Sequence, residues 1–458
     1  MFNKKALSIV LALLLAMLLA ACGGAQPAQA PAAEEPAEEE AAEAPAAEEE
    51  VSEEAAVEAA ACDETVTVEF WHIHTQDERK VVLQKSIDAF EADHPCAKIN
   101  STILENENFK AKLTTVMQSG EPPDVFSTWG GGVMNEYAKA GLLRDISAEI
   151  QEDGFADTFA PGPLAVYGYQ GEQYGVANDQ GMVGFWYNKA LFEEAGIDSP
   201  PTTWAELLED VQTLKDAGIT PIALGEGDKW PGHFWWVYLA IRMGGEEAFN
   251  AAASGEGSFA DEPFVQAGEK LQELIALEPF PDGYLGLTYN DQARLVGNGE
   301  AAMELMGQWA PGVEKDESTS KEGIGDNLGW FPFPMVEGGA GDPADALGGG
   351  GGYIVGRDAP DEAVEFLKYL STKEIQCETT WVLPVVKGTE ECITDPLMKT
   401  VAENAAKAPY MQLYYDQALP PAVGSVVNDS VQELFAGTSS PEEVGQAIQE
   451  SFELEMGQ

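Results

Sequence analysis

Glu64-Thr65-Val66-Thr67-Val68-Glu69-Phe70-Trp71-His72-Ile73-His74 alternates polar and apolar side chains from Thr65 to Phe70, the period of a half-buried strand. Thr75-Gln76-Asp77-Glu78 follows as a capping box, and Leu83, Ile87 and Phe90 line one face of the helix it opens. His94-Pro95 ends that helix. A second strand is expected over Ala97 to Leu104. Phe109, Leu113, Val116 and Met117 mark a second helix that stops at Gly120, and Asp124-Val125-Phe126-Ser127-Thr128 reads as a third strand. Strands alternating with helices pair in parallel, so this stretch sets the class as α/β.

Working outward, the strand ends locate a site. Ligands bind open parallel sheets beyond the carboxyl ends of the strands. The first strand runs out into Trp71-His72-Ile73-His74 and the third into Trp129-Gly130-Gly131-Gly132. A tryptophan in a glycine loop has few packing neighbours, so its apolar face and indole N–H are open to a ligand. Packing at an interface between lobes is the alternative for Trp71 and Trp129. His72 and His74 share a strand face and invite a metal reading. Only His94 and His233 remain to complete a set, and no metal site is expected.

The cysteines fit the same layout. Cys62 and Cys96 each lie just before a strand, and parallel neighbours start at the same end of a sheet, which brings the sulfurs within bonding range. With Cys22 set aside, four cysteines allow three pairings. The favoured one joins Cys62 to Cys96 and Cys377 to Cys392, the latter closing a short segment that holds Trp381 and Pro384.

A second α/β region starts near Gly184. Asn188 to Gly196 reads as helical, Thr203-Trp204-Ala205-Glu206 is a capping box, and Leu207, Leu208, Val211 and Leu214 form the buried stripe behind it. Thr220 to Leu224 is a strand. Helices are expected at 233–243, 262–276, 289–298, 360–371, 396–406 and 425–436, with Ser440-Pro441-Glu442-Glu443 capping a last one. Trp230 follows a strand in a glycine loop and suggests a site, whereas Trp204 belongs to core. Of Trp235 and Trp236 at most one faces a cleft, and Trp236 is the one assigned to it. Asn106, Glu107, Asp124, Asn178, Asp179, Gln308, Asp416 and Gln417 are carboxylates and amides in candidate loops. Flat aromatic faces with planar amides and carboxylates suit sugar hydroxyls. The glycine run 348–352 lacks the Lys-Ser/Thr of a phosphate loop and suits close backbone approach or a crossover.

At the other end, Met1-Phe2-Asn3-Lys4-Lys5 and the apolar run Ala6 to Ala21 form a secretory signal over 1–21. Leu19-Ala20-Ala21-Cys22-Gly23 looks like a bacterial lipobox, with Cys22 lipidated and held at the outer face of the cell membrane. An ordinary secretory signal that contains a cysteine is the alternative. Residues 22–61 are mostly Ala, Glu and Pro and read as a disordered spacer. The net charge of −55 over 458 residues excludes a nucleic-acid partner, and the spacer holds only about a dozen of the 79 acidic residues. The globular part is therefore acidic as well, and long enough for two lobes with separate cores.

Several separated motifs together resemble one family, the extracellular solute-binding proteins of carbohydrate ABC importers, similar to maltose-binding protein. They are Gly120-Glu121-Pro122-Pro123-Asp124-Val125, the run Tyr187 to Gly196, Pro200 to Leu207, Gly299 to Trp309 and Glu362 to Leu370. The resemblance implies two α/β lobes, each a mainly parallel sheet flanked by helices, with a sugar in the cleft. It implies lobes of 62–178 plus 328–376 and 179–327 plus 377–458, crossing near 177–182, 325–330 and 375–380. It points to Trp309 as the first site residue, supports Trp129, and suggests Asp179 by residue type and Asp416 by the stretch Leu413-Tyr414-Tyr415-Asp416-Gln417. It implies a monomer without cofactor that closes on its ligand and meets a membrane permease. The residues leave two other classes open. A cationic solute such as a polyamine suits acidic, aromatic clefts. A surface glycoside hydrolase needs two carboxyls about 5–5.5 or 6.5–9.5 Å apart. A purely structural envelope lipoprotein leaves the aromatic loops unexplained.

Overall fold

The computed structural model describes residues 62, 64–379 and 383–457. The expected signal segment, Cys22, the spacer and Trp381 lie outside the described residues.

Twelve strands carry the architecture: β1 (Val66–His72), β2 (Ala97–Ile103), β3 (Val125–Thr128), β4 (Gly175–Ala177), β5 (Gly181–Met182), β6 (Gly184–Asn188), β7 (Thr220–Ile222), β8 (Ala301–Met306), β9 (Leu328–Phe331), β10 (Ala346–Gly349), β11 (Gly352–Val355) and β12 (Met411–Leu413). Eight helices bear on the site: α1 (Asp77–Asp93), α2 (Asn106–Ser119), α3 (Trp204–Asp216), α4 (Trp230–Ser254), α5 (Tyr289–Gly297), α6 (Ala310–Glu317), α7 (Asp361–Leu370) and α8 (Lys373–Glu378). The first sheet has the order β2-β1-β3-β11-β4, the second β9-β6-β8-β7, and a short third β12-β10-β5. Two separate apolar cores result. One gathers Val68, Phe70, Phe90, Phe109, Val125, Ile354 and Phe366 around the first sheet. The other gathers Phe185, Trp186, Trp235, Leu305, Phe331, Leu347 and Val427 around the second and third.

Strands β1, β2 and β3 pair in parallel as expected. Val66 faces Ala97 in that register, and the Cys62–Cys96 disulfide closes at the shared sheet end with Cα atoms 5.5 Å apart. Cys377–Cys392 is the second disulfide. The remaining pairings are mixed. β11 runs antiparallel to β3 and β4, and β6 antiparallel to β8 and β9. The cause in the first sheet is topological: β11 enters it from the other lobe and so runs against the strands already there.

That re-entry also moves a boundary. Residues 328–331 were expected in the first lobe, but β9 hydrogen-bonds to β6, and Trp330 and Phe331 pack in the second core. The chain crosses back at Gly349–Gly352, between β10 and β11, rather than at 325–330. There it meets the earlier crossing. The N–H groups of Asn178 and Asp179 donate to the Gly351 carbonyl, and the Gly351 N–H donates to Asp179 Oδ1 at 2.5 Å. Two backbones in such contact exclude a side chain: a Cβ at Gly350 would stand 1.7 Å from the Asp179 carbonyl oxygen.

Local signals hold elsewhere. Capping boxes form at Thr203–Glu206 and Ser440–Glu443, and Gly120 and Gly196 end their helices in the left-handed region. The box expected at Thr75–Glu78 does not form: Gln76 is the N-cap of α1, and its side chain caps nothing.

Gly350→Ala should therefore lower unfolding stability by ~1–3 kcal/mol, the range for a methyl forced into packed surroundings. Urea denaturation followed by tryptophan fluorescence checks this, and an unchanged midpoint would show that the crossings tolerate separation.

Candidate functional site

A cavity of about 340 Å³ lies where the two cores face each other, within the range of small-molecule sites. The first lobe lines it with His74, Gln76, Arg79, Asn106, Lys110 and Trp129. The second supplies Trp230, His233, Phe234, Tyr289, Gln308, Trp309, Tyr414 and Asp416. The crossings, Asp179 and Gly349–Gly351, complete the wall.

The aromatic side is built by local geometry. Trp309 ends the strand-to-helix turn between β8 and α6, and a Cβ at Gly307 would lie 2.1 Å from its ring. Glycine there lets the indole fold back over the strand. Behind it Trp186, fully buried, donates its indole N–H to the Gly307 carbonyl at 3.0 Å and fixes the turn. Ring centres of Trp230 and Tyr414 each stand 6.4 Å from that of Trp309. Trp230 opens α4 and packs 4.9 Å from Tyr289. Trp129 follows β3, meets Phe109 edge-on, and has Lys110 Nζ 5.6 Å from its ring centre.

The polar side is ordered through histidines. His74 Nδ1 lies 3.2 Å from Arg79 Nη1 and accepts from that guanidinium, so Nε2 carries the proton toward the Tyr353 hydroxyl at 2.7 Å. Burial, with Arg79 and His72 nearby, pushes the His74 pKa well down, which matches a neutral ring. Burial raises the Asp179 carboxyl, opposed by Arg79 and the Gly351 N–H. His233 donates from Nδ1 to the Trp230 carbonyl at 2.9 Å, leaving Nε2 as an acceptor 3.8 Å from Asp416 Oδ1.

Among the described residues, seven buried polar atoms on the cavity lining have no hydrogen-bond partner: Gln76 Oε1, Asn106 Oδ1, Trp230 Nε1, His233 Nε2, Tyr289 Oη, Gln308 Oε1 and Tyr414 Oη. Such atoms are costly unless something bonds them.

Of the residues singled out by sequence, Trp309, Trp129, Trp230, Asp179, Asn106, Asp416, Gln308 and Gln417 meet at this cavity. Trp71, His72 and Trp236 do not. Strand alternation sends Val68, Phe70 and His72 to the buried side of β1, and Trp71 to the other face, where Lys112 Nζ lies 4.0 Å from its ring centre. His72 sits one layer beneath His74 and accepts its backbone N–H at 3.3 Å, and burial lowers its pKa to about 4. Trp236 is fully buried against Phe264. Trp235 is core too. Asp124 accepts the Glu69 N–H, Glu107 pairs with Lys110, and Asn178 holds Gln376. Sequence reasoning weighed His74 and His233 only as metal ligands and passed over Arg79, Lys110 and Tyr289. The i, i+2 spacing of His72 and His74 was a signal for His74. Among the described residues no cluster of His, Cys, Asp and Glu fits a metal ion.

Residues 76–376 match the family described as bacterial extracellular solute-binding protein. The chain belongs to that family. Within it, an ABC transporter extracellular-binding protein of Pyrococcus horikoshii is 26% identical over 380 residues, covering 80% of this chain and 83% of the relative. The multiple sugar-binding protein of Streptococcus mutans is 25% identical over 73% of this chain and 79% of its own. Among solved structures, a chitin oligosaccharide binding protein superposes with a TM-score of 0.78 at 30% identity, covering 85% of this chain and 98% of that one. A structure from work on xylan utilization by the thermophilic bacterium Caldanaerobius polysaccharolyticus gives 0.78 at 29%, covering 84% and 99%. The two-lobed fold of this solute-binding protein is thus shared with its relatives.

Beneath the aromatic wall Glu304 of β8 and Glu314 of α6 are both buried, with Gln292 donating to Glu304 Oε2 at 2.6 Å. Burial, with Glu304 as neighbour, pushes the Glu314 carboxyl well above the usual carboxylate range. A raised carboxyl binds its proton more tightly folded than unfolded. Its contribution is complete below the ordinary glutamate value, about 4.3, and is lost as pH rises through the folded value. Glu314→Gln should remove that loss, so the variant gains on the parent as pH rises from about 4.3 toward the folded value, by up to ~1.4 kcal/mol per pH unit. Thermal unfolding across this range checks it, and parallel pH profiles would contradict it.

Proposed function

We propose that this protein captures a neutral sugar or oligosaccharide in the cavity between its lobes and delivers it to the permease of an ABC importer. One observation carries the reading: unpartnered donors and acceptors from both lobes converge on a cavity walled by three tryptophans. A sugar presents apolar C–H faces to flat rings and hydroxyls that both donate and accept. The names of the relatives support the same class.

Lobe closure follows from binding physics. A ligand held by Gln76 and Asn106 on one side and Trp309 and Asp416 on the other has its full contacts only when the lobes meet. Moving a two-state population from 1:99 to 99:1 takes about 5.5 kcal/mol of differential affinity. Stacked rings and several hydrogen bonds supply that order. The lobes divide near the crossings, with 62–178 and about 352–379 in the first, and 179–349 and the chain beyond about 393 in the second.

Arg79 and Lys110 in the wall weigh against a cationic ligand such as a polyamine. The two are not vacant anion sites either: Arg79 engages His74, and Lys110 pairs with Glu107 at 3.0 Å. The family is one of receptors, and the reading here is of a receptor rather than a hydrolase. Among the described residues no helix is long and apolar enough to cross a membrane. We propose further that the chain is exported by the signal over 1–21 and lipidated at Cys22, with a leash over 22–61 that holds a monomeric receptor at the outer face of the cell membrane. Several acyl chains anchor stably where one does not.

Calorimetry with mono-, xylo- and chito-oligosaccharides should give saturable heat with at least one member, and silence across the panel would oppose the reading. Trp309→Ala should weaken that binding nearly a hundredfold, because about 100 Å² of ring face at ~25 cal/mol/Å² is ~2.5 kcal/mol. Its unfolding temperature should fall only modestly, since the ring packs on the face of the second core and is not enclosed within it.

A further inference from the structure

Helix α1 begins at the cavity rim without a cap of its own. The first amides of any helix need partners from outside it. Gln76, the N-cap residue, is extended and its side chain accepts none of them. The Asp77 N–H donates instead to Asp316 Oδ2, at 2.9 Å, and Asp316 belongs to α6 of the other lobe. Beside it Lys315 Nζ reaches Glu78 Oε1 at 2.7 Å. The helices touch here: a Cβ at Gly312 would lie 3.7 Å from Gln76 Cγ. The other charges are accounted for. Lys80 pairs with Asp77 at 2.6 Å within α1, and Lys321 bonds the Asp316 carbonyl.

We infer that α1 of the first lobe is N-capped in trans by Asp316 of the second, with Lys315 and Glu78 paired alongside, and that this latch sets the balance between open and closed lobes. Side chains with an oxygen aimed at the first-turn amides are the usual caps, and a carboxylate there also meets the positive end of the helix dipole. Opening the cleft carries α6 away, returns the Asp77 N–H to water and parts the ion pair. Both groups sit at an exposed rim, so the pull is modest: losing the cap or the pair costs roughly two- to tenfold in the closed-to-open ratio, and added salt weakens it. The latch thus leaves the ligand to decide closure while lowering what the ligand must supply. Lys315 and Glu78 are positioning residues and do not line the cavity, unlike Asp316, so they separate closure from ligand contact.

The test needs no ligand, and its outcome is independent of the sugar assignment. Nitroxides at Thr115 of α2 and Glu209 of α3 report the lobe separation by pulsed electron spin resonance on the full chain. Lys315→Glu should shift weight toward the longer separation by roughly two- to tenfold in the population ratio. Glu78→Lys should do the same. The double variant Glu78→Lys/Lys315→Glu should restore the parent distribution, which a merely structural loss would not. A distribution unmoved by Lys315→Glu, or a double variant no nearer the parent than the singles, would overturn the latch.

Discussion

Asp179 stands where the chain passes between lobes twice, and its carboxylate accepts the N–H of Gly351 while its own backbone N–H donates to the Gly351 carbonyl. Two crossings that touch through their backbones cannot slide independently. They form a common floor from which β4 and β11 enter one sheet, and β5 and β10 the other. Gly350 and Gly352 are what this contact requires, since a Cβ at the first would collide with the Asp179 backbone and one at the second with Tyr167. Arg79 lies within electrostatic reach of the same carboxylate and is steadied by it. The floor therefore positions the polar wall as well as the lobes.

The walls above it divide by chemistry. The second lobe brings stacked aromatic surface on a turn fixed by Trp186 and Gly307. The first brings hydrogen-bonding side chains, ordered through His72, His74 and Tyr353. Neither half is a site alone, because the unpartnered atoms are shared between them. A receptor whose contacts are split in this way gains affinity from closure itself.

Much of this was legible in the sequence because it is local. The first three strands, most of the helices and two capping boxes depend on residues a few positions apart. The third box failed at Thr75 for an instructive reason: the oxygen that α1 receives comes from Asp316, far along the chain. The lobe boundary near 328 failed likewise, since the partner of β9 is β6, far back along the chain, and nothing local to 328–331 specifies it. Trp129, Trp230 and Trp309 were recognisable from loops and motifs. Trp71 and Trp236 were not separable from them, because a strand face or a helix face decides which way a ring points. Arg79 and Lys110 are charges on helices that nothing local marks as site residues, and they become wall residues only through the other lobe.

The central claim is that one sugar is held by both lobes at once. A crystal structure with a bound xylo- or chito-oligosaccharide tests it most directly. The account predicts a pyranose ring on Trp309, with its hydroxyls bonded by at least one first-lobe residue, such as Asn106 or Gln76, and one second-lobe residue, such as His233 or Asp416. A ligand seated outside this cavity, or held by one lobe alone, would contradict it.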